Sequence, residues 1–497
     1  MTLGVRRPRA ADALICAGFG LASFALLAYN YWIPRAKIFD EVYFARAAEE
    51  YLTRQYIYEN THPPLTKLLI TLSTMLFGGM HGGDTSVGWR FLDVVFGALA
   101  VPLLYVTARS MTNSRALGAF AAFLFMFDGM HFVQSRIATP ESFVVFFSLA
   151  TLLAFYRYWM WRVREEVPSP PSVQRRLAAA AVCAAVSAVA VFLRFPHETL
   201  AAQAVAGIAI LAGLYSVYRV AAEPQVLREP SFRWLVAWSV SIACLVTSKW
   251  YGVMAFGVAL VIVLYERRRF RVDLVASMVV AVTAAIYFAA YTPQFVGLRD
   301  LPTSDPRAYT LSDVVTMQYN AFEYHKNLRA THPYASQWWQ WPLDLRPILY
   351  SADYGRTGNV STAAMIYTLP NPLILWVGLL TVPLVAYWGA RERNRTYMLV
   401  TLTYAAQWLP WIGSPRIAFA YHFYVNIPLI CICTALVVER ALRRAQGQPR
   451  VEKTVRAVAA CYAVAVAATF AYFYPILAGV AIASSAWLSR IWLKSWM

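Results

Sequence analysis

Residues Ile38 to Lys67 read IFDEVYFARAAEEYLTRQYIYENTHPPLTK and follow directly on an apolar run that ends at Ile33. Asp40 and Glu41 stand where a chain leaving the hydrocarbon meets water and an ionised carboxylate is tolerated. At the bilayer centre each would cost roughly 2.5–3.5 kcal/mol. On a helix, neighbouring side chains diverge by about 100°. One acid can then do chemistry while the other orients a second molecule. The plainer reading is two solvated acids opening a surface helix, favoured by the positive end of its dipole. His62-Pro63-Pro64 argues for more than that, because two successive prolines remove two donors and hold the backbone extended. Such a corner can fix His62 and Lys67 in a pocket.

The rest of the chain supports a membrane reading. Of 497 residues, 59% are hydrophobic, 15% aromatic and 14% charged. Apolar runs long enough to cross a bilayer recur along the whole length. We read thirteen spans: 11–33, 91–109, 116–131, 142–162, 177–195, 199–220, 233–249, 250–265, 272–292, 371–389, 396–412, 416–438 and 455–475. The run after Lys67 is too brief to cross and reads as an interfacial or re-entrant helix. Arg6, Arg7 and Arg9 precede a full-length span, as in a signal anchor rather than a cleaved signal. The six cysteines (16, 183, 244, 431, 433 and 461) lie in apolar runs and read as small buried residues.

A net charge of +18 could point to nucleic acid; arginine-rich loops against the cytoplasmic leaflet explain it better. With the N-terminus cytoplasmic, every inside loop carries arginine: Arg115, Arg162–Arg176, Arg219–Arg233, 266–271, Arg391–Arg395 and Arg440–Lys453. The outside receives Asp40, Glu41, Glu141, Glu198 and Glu323, and all seven histidines: His62, His81, His131, His197, His325, His332 and His422. A polar site facing away from the cytoplasm follows. The main outer regions are a first loop at 34–90, a large loop at 293–370 and an aromatic tail at 476–497. The sequence has neither a Walker loop nor an Asp-x-Asp pair for a metal-bound sugar nucleotide. A transferase outside the cytoplasm would need a donor anchored in lipid.

Further outer stretches carry the same flavour. Arg136, in Gln134-Ser135-Arg136, is a snorkelling side chain or a bidentate phosphate ligand. Lys249-Trp250 reads as an interfacial anchor. Tyr324-His325, His332-Pro333-Tyr334, Trp341-Pro342-Leu343 and Arg346-Pro347 suit a sugar or lipid headgroup, and equally an interfacial amphipathic helix.

Together, Phe39-Asp40-Glu41-Val42-Tyr43-Phe44, His62-Pro63-Pro64-Leu65 with Lys67, Gln134-Ser135-Arg136-Ile137, Lys249-Trp250 and Tyr324-His325 resemble the protein O-mannosyltransferase family. So do Trp341-Pro342-Leu343 with Arg346-Pro347, Asn371-Pro372, Trp408-Leu409-Pro410-Trp411 and the tryptophan-rich tail. The resemblance is to the bacterial members of glycosyltransferase family 39. It implies an all-α polytopic membrane protein with the GT-C fold as a single domain over residues 1–497. It also implies a polyprenyl-phosphate-mannose donor, inverting transfer to Ser or Thr hydroxyls of exported proteins, and a site on the extracytoplasmic face of the cell membrane. Through it, Asp40 maps to the catalytic acid, Glu41 to the acceptor-associated acid and Arg136 to the arginine near the donor. Three features depart from the pattern: Pro140-Glu141 where Leu-Asp is usual, Thr66 where Gly is usual, and two spans (about 177–220) beyond those of eukaryotic relatives.

On this reading Asp40 takes the acceptor proton during attack. The lipid phosphate leaves without a general acid and is stabilised by positive charge. Arg136, Lys249 and Arg416 are the candidate cations, with His325, His332 and Tyr324 beside the donor. His62, Pro63, Pro64, Lys67, Glu141 and Arg346 shape the pocket. No metal or other cofactor is expected. The alternatives are a related transferase acting on a lipid or glycan, and a transporter, although no internal repeat is visible.

Overall fold

The computed structural model describes residues 10–54, 57–79, 85–165, 172–297 and 310–497. Arg6, Arg7, Arg9, His81 and parts of two expected loops (166–171 and 298–309) lie outside the described residues. The chain runs through α1 (Ala10–Ala28), α2 (Glu41–Leu52), α3 (Leu65–Leu76), α4 (Thr85–Thr112), α5 (Arg115–Met126), α6 (Gly129–Gln134) and α7 (Glu141–Arg162). It continues through α8 (Val173–Arg194), α9 (Leu200–Ala222), α10 (Pro230–Ser248), α11 (Gly252–Tyr265), α12 (Val272–Gly297) and α13 (Leu311–Asn327). Strands β1 (Ile348–Thr357) and β2 (Val360–Thr368) follow. Then come α14 (Pro372–Glu392), α15 (Arg395–Trp408), α16 (Ile427–Arg444), α17 (Pro449–Leu477), β3 (Ile482–Ala483) and α18 (Ser484–Leu488). Short polar residues start many of the helices. Ser114, Asp128, Ser172, Thr199, Asn371 and Asn394 each accept a hydrogen bond from a first-turn N–H, which satisfies donors the helix itself cannot.

Among the described residues, ten helices are long and apolar enough to cross a membrane. The protein is a multi-pass membrane protein. The other three expected spans are the shorter α5, α11 and α15, of 12, 14 and 14 residues. At 1.5 Å per residue such helices reach about 18–21 Å, short of a hydrocarbon core of about 30 Å. The physical reason is local: Asp128 stops α5 by capping α6, and α15 tightens into a 3₁₀ turn at Leu409–Gly413. The count of thirteen is therefore ten full-length helices plus three short ones. α3, 12 residues long, is as brief as its sequence indicates.

The all-helical expectation needs one correction. β1 and β2 form an antiparallel hairpin with Thr357 opposite Val360, and β3 from the tail pairs with β2 through Thr362 and Ala483. Gly358 takes φ +61° in the two-residue loop, the backbone a tight hairpin favours.

The fold divides into two compact units. The first comprises Met1–Ala48, Leu69–Leu149 and Leu328–Met497. Its core joins Leu27, Val94, Phe132 and Ile137 to Ile348, Met365, Phe470, Phe473 and the fully buried Trp496. The second comprises Glu49–Leu68 and Ala150–Asn327. There the arginines expected in cytoplasmic loops are partly internal. Arg162 is 1% exposed and bonds Glu165 at 2.8 Å and Glu229 at 3.2 Å. Arg271 bonds Glu229 at 2.7 Å and Glu223 at 3.1 Å. Arg219 is wholly buried and bonds Asp273 at 2.8 Å as well as Glu223. These pairs tie together the ends of α7, α9, α10 and α12. From the additional pair α8–α9, α9 also bonds α12 through hydroxyls, with Tyr215 donating to Asp273 and Ser216 to Ser277.

The start of α6 passes so close to the end of β2 that a Cβ on Gly129 would lie 2.2 Å from the Leu369 carbonyl oxygen. Gly129→Ala should therefore cost about 1–3 kcal/mol by overpacking, read as a lower apparent melting temperature in detergent. Gly257→Ala, with open space at its Cβ, should leave it unchanged or slightly raised.

Candidate active site

Asp40 immediately precedes α2, and its carbonyl accepts from Tyr43 N (3.0 Å) and Phe44 N (3.1 Å). It therefore sits at the N-cap position. Phe39, just before it, has a left-handed backbone with φ +48°, costing about 1–3 kcal/mol for a residue of this size. Its ring is well held. It stacks on Tyr350 of β1 at 4.2 Å and meets Tyr421, Phe419 and His332 edge-on at 5.9, 6.1 and 6.5 Å. Such pairs contribute about 0.5–1.5 kcal/mol each beyond their burial, enough to offset the strain.

On the other side of Asp40, Glu41 is 0% exposed, as is its partner Arg90 in α4. Arg90 donates from Nε to Oε1 (2.6 Å) and from Nη2 to Oε2 (2.7 Å), a bidentate fork. Its remaining donors reach the carbonyls of Tyr31 (3.2 Å), Pro34 (2.7 Å) and Ala36 (3.1 Å). Glu41 also accepts from the backbone N–H groups of Ile38 (3.0 Å) and Ala138 (2.9 Å). The expectation of an acceptor-associated role for Glu41 meets a side chain with four internal hydrogen bonds. Its carboxylate is committed inside the protein, where it holds the turn carrying Asp40 to α4 and to the Ser135–Ala138 turn.

That turn supplies Arg136, 6% exposed, with Nη2 donating to Tyr29 O at 2.8 Å and its guanidinium 4.5 Å from the Phe132 ring. Burial pushes its pKa down to about 10, which leaves it cationic at neutral pH. Glu141 is the first residue of α7 and nearly buried. It and Asp40 both act on Tyr350, whose phenol is held well above its ordinary value by burial and then by these two carboxylates. Asp40, Glu141 and Arg416 all lie within electrostatic reach of Tyr421. His332 packs edge-on against Phe419 at 5.3 Å. Arg346 ties the outer loop to the tail, donating to Pro333 O (2.5 Å), Ser495 O (2.5 Å) and Met497 O (2.8 Å). In the first unit Asp40, Glu141 and Arg416 thus lie near Tyr421 and His332 packs beside it on Phe419, while Glu41 is paired with Arg90 and Arg136 lies on Phe132. Arg346 shapes its loop from a distance.

The second unit holds the rest. Lys67 is 1% exposed and donates to Glu59 Oε2 at 2.9 Å and to the carbonyls of Glu59 (2.5 Å) and His62 (2.8 Å). His62 Nδ1 lies 2.9 Å from Glu59 Oε1. Burial raises the Glu59 pKa, but Lys67 and His62 overcome it and hold the carboxyl well below its ordinary value. The buried Pro63 and Pro64 carry the chain into α3, with Pro64 O accepting from Leu68 N at 2.9 Å. His325 Nε2 is 3.1 Å from Thr61 O, and its ring meets those of His62 (5.2 Å), Tyr324 (5.4 Å) and Trp250 (6.3 Å). Lys249 caps the C-terminal end of α10.

Arg90 and Glu59 were not singled out from the sequence. Arg90 had a signal: an arginine immediately before an apolar run long enough to cross a membrane. Glu59 had one too, lying three residues before His62 and eight before Lys67.

Arg90→Ala would strand the buried Glu41 and should cost about 3–5 kcal/mol, visible as a lower melting temperature. Glu59 has a depressed folded pKa, so its stabilisation is complete above the ordinary glutamate value of 4.5 and is lost as pH falls through the folded pKa. The gap in thermal stability between wild type and Glu59→Gln should therefore be wide at neutral pH and close in acid.

Comparison with known proteins finds relatives over most of the chain. Residues 18–195 match the dolichyl-phosphate-mannose-protein mannosyltransferase family, and residues 310–496 match the C-terminal four-TMM region of protein-O-mannosyltransferase. The polyprenol-phosphate-mannose–protein mannosyltransferase of Mycobacterium tuberculosis is 27% identical over 504 aligned positions, covering 92% of this chain and 86% of that one. Its counterpart from Corynebacterium glutamicum is 23% identical, covering 88% and 81%. Among solved structures, the sugar-donor-bound Pmt1-Pmt2 protein O-mannosyltransferase complex of S. cerevisiae shares the fold, with a TM-score of 0.73 and 13% identity over 99% of this chain and 93% of that one. The two family matches and the similarity along nearly the whole chain agree: this chain belongs to the protein O-mannosyltransferase family.

Proposed function

We propose that the protein transfers a mannosyl residue from a polyprenyl-phosphate carrier to Ser or Thr hydroxyls of exported polypeptides, with inversion, on the extracytoplasmic face of the cell membrane. The observation that carries this reading is the placement of Asp40. It stands at a helix N-terminus, held on one side by the Phe39 ring and on the other by the buried Glu41–Arg90 pair, in a chain similar over most of its length to polyprenol-phosphate-mannose–protein mannosyltransferases.

A serine or threonine hydroxyl attacks the anomeric carbon only as a base takes its proton. Asp40 is that base. The C–O bond from the anomeric carbon to the phosphate breaks as the new glycosidic bond forms, and the electron pair leaves on the lipid phosphate. Phosphate is a weak base, so positive charge rather than a proton stabilises it. In the first unit Arg136 and Arg416 are the proposed cations, with His332 nearby. For Lys249, His325 and Tyr324 of the second unit, the role of donor contact rests on the sequence resemblance. Glu41 acts through Asp40, by fixing the turn that presents it.

The test is transfer from radiolabelled mannosyl phosphopolyprenol to a Ser/Thr-rich peptide by purified protein. Asp40→Asn should abolish labelling of the peptide while donor binding is retained. Near-normal turnover in that mutant would remove Asp40 from the role. Donor consumed only when membrane lipid or glycan is added would replace the protein acceptor with another.

A further inference from the structure

The Asp40 turn has an anchor that the reaction scheme does not use. Phe39 is held in a left-handed backbone conformation (φ +48°) that a bulky L-residue rarely adopts. Its ring touches four others from three separate stretches of the first unit: Tyr350 of β1, Phe419 and Tyr421 of the 416–424 segment, and His332 of the outer loop. These rings also hold one another. Phe419 and Tyr421 stack at 5.7 Å, and His332 packs on Phe419 at 5.3 Å. The Tyr350 hydroxyl accepts from Gln134 Nε2 at 2.9 Å, next to the Ser135–Ala138 turn that binds Glu41.

We propose that Phe39 is the positioning residue for the catalytic acid: its ring, locked among Tyr350, Phe419, Tyr421 and His332, keeps the backbone in the left-handed turn that presents Asp40 to the acceptor. This rests on the reading of Asp40 as the base. Arg90 clamps Glu41, the residue after Asp40, and the four rings clamp Phe39, the residue before it, so the backbone is held on both sides of the acid. A non-glycine residue stays in such a conformation only where its surroundings over-determine it, and sites of this kind cluster where geometry serves chemistry. The hairpin and the 416–424 segment then act on catalysis through this one ring.

The test separates the ring from the backbone. Glycine adopts a positive φ without cost, so Phe39→Gly permits the turn and removes only the lock. If the ring positions Asp40, Phe39→Gly and Phe39→Ala both lower kcat by roughly 100-fold, the scale of a displacement of about 1 Å. The KM for the lipid donor then stays within about threefold of wild type, well short of a tenfold change in affinity. Phe39→Tyr keeps the ring and recovers most of the rate. Wild-type kcat in Phe39→Gly would overturn the proposal. So would equal losses in kcat, KM and thermal stability across all three variants, which would make the ring merely structural. An experimental structure of Phe39→Gly decides the matter independently of activity. Asp40 displaced from its wild-type position supports the proposal, and an unmoved Asp40 overturns it. If the wild type transfers nothing to peptide, the proposed function fails while that structure still tests the lock.

Discussion

Two charges with no exposure to solvent, the Glu41 carboxylate and the Arg90 guanidinium, hold the candidate site together. Burying each ion costs several kcal/mol of lost hydration, which attraction alone need not return. Here the cost is met because nearly every hydrogen-bonding position is used. Glu41 receives two guanidinium bonds and two backbone N–H groups, and Arg90 spends its other donors on three carbonyls of the Tyr31–Ala36 segment. One ion pair therefore joins the exit of α1, the start of α2, the body of α4 and the Ser135–Ala138 turn. Asp40 lies inside that knot and inherits its rigidity. Catalysis by a positioned base depends on such preorganisation, since the protein need not reorganise at the moment of attack.

The same solution recurs away from the Asp40 turn. In the second unit, Glu59 is held by Lys67 and His62 beside the two prolines, and Arg162, Arg219 and Arg271 meet Glu223, Glu229 and Asp273 at the helix ends. A membrane protein has few apolar surfaces that discriminate one helix neighbour from another, because lipid is as apolar as the helices. Paired charges at helix ends supply specific, directional contacts, and they place α8–α9 against α12 through Asp273. Arginines that the sequence alone offers as topology signals thus also serve as structural partners.

Much of the architecture was legible in the sequence. The ten long spans announced themselves by length and hydropathy, and the caps at Ser114, Thr199, Asn371 and Asn394 stand where a short polar residue precedes an apolar run. The paired acids and the His-Pro-Pro corner stand at two of the places where buried ion pairs form. The hairpin did not show, because Tyr354-Gly355-Arg356-Thr357 is exposed on both faces and lacks the alternation that marks a half-buried strand. Arg90 fell at the last position of the first outer loop, beside a span, and a sequence does not say which of two adjacent acids finds a cation.

The sequence by itself determined the solvent this protein lives in, the order of its helices and the residue types available for chemistry. Those properties follow from local composition: apolar runs must leave water, and each helix satisfies its own backbone. Tertiary structure alone decided the partners. That Arg90 reaches Glu41, that Phe39 meets Tyr350 across more than three hundred residues, and that Arg346 grips the tail are facts of packing. Each depends on which distant segments the core brings within a few ångströms, and such contacts leave no periodic trace along the chain.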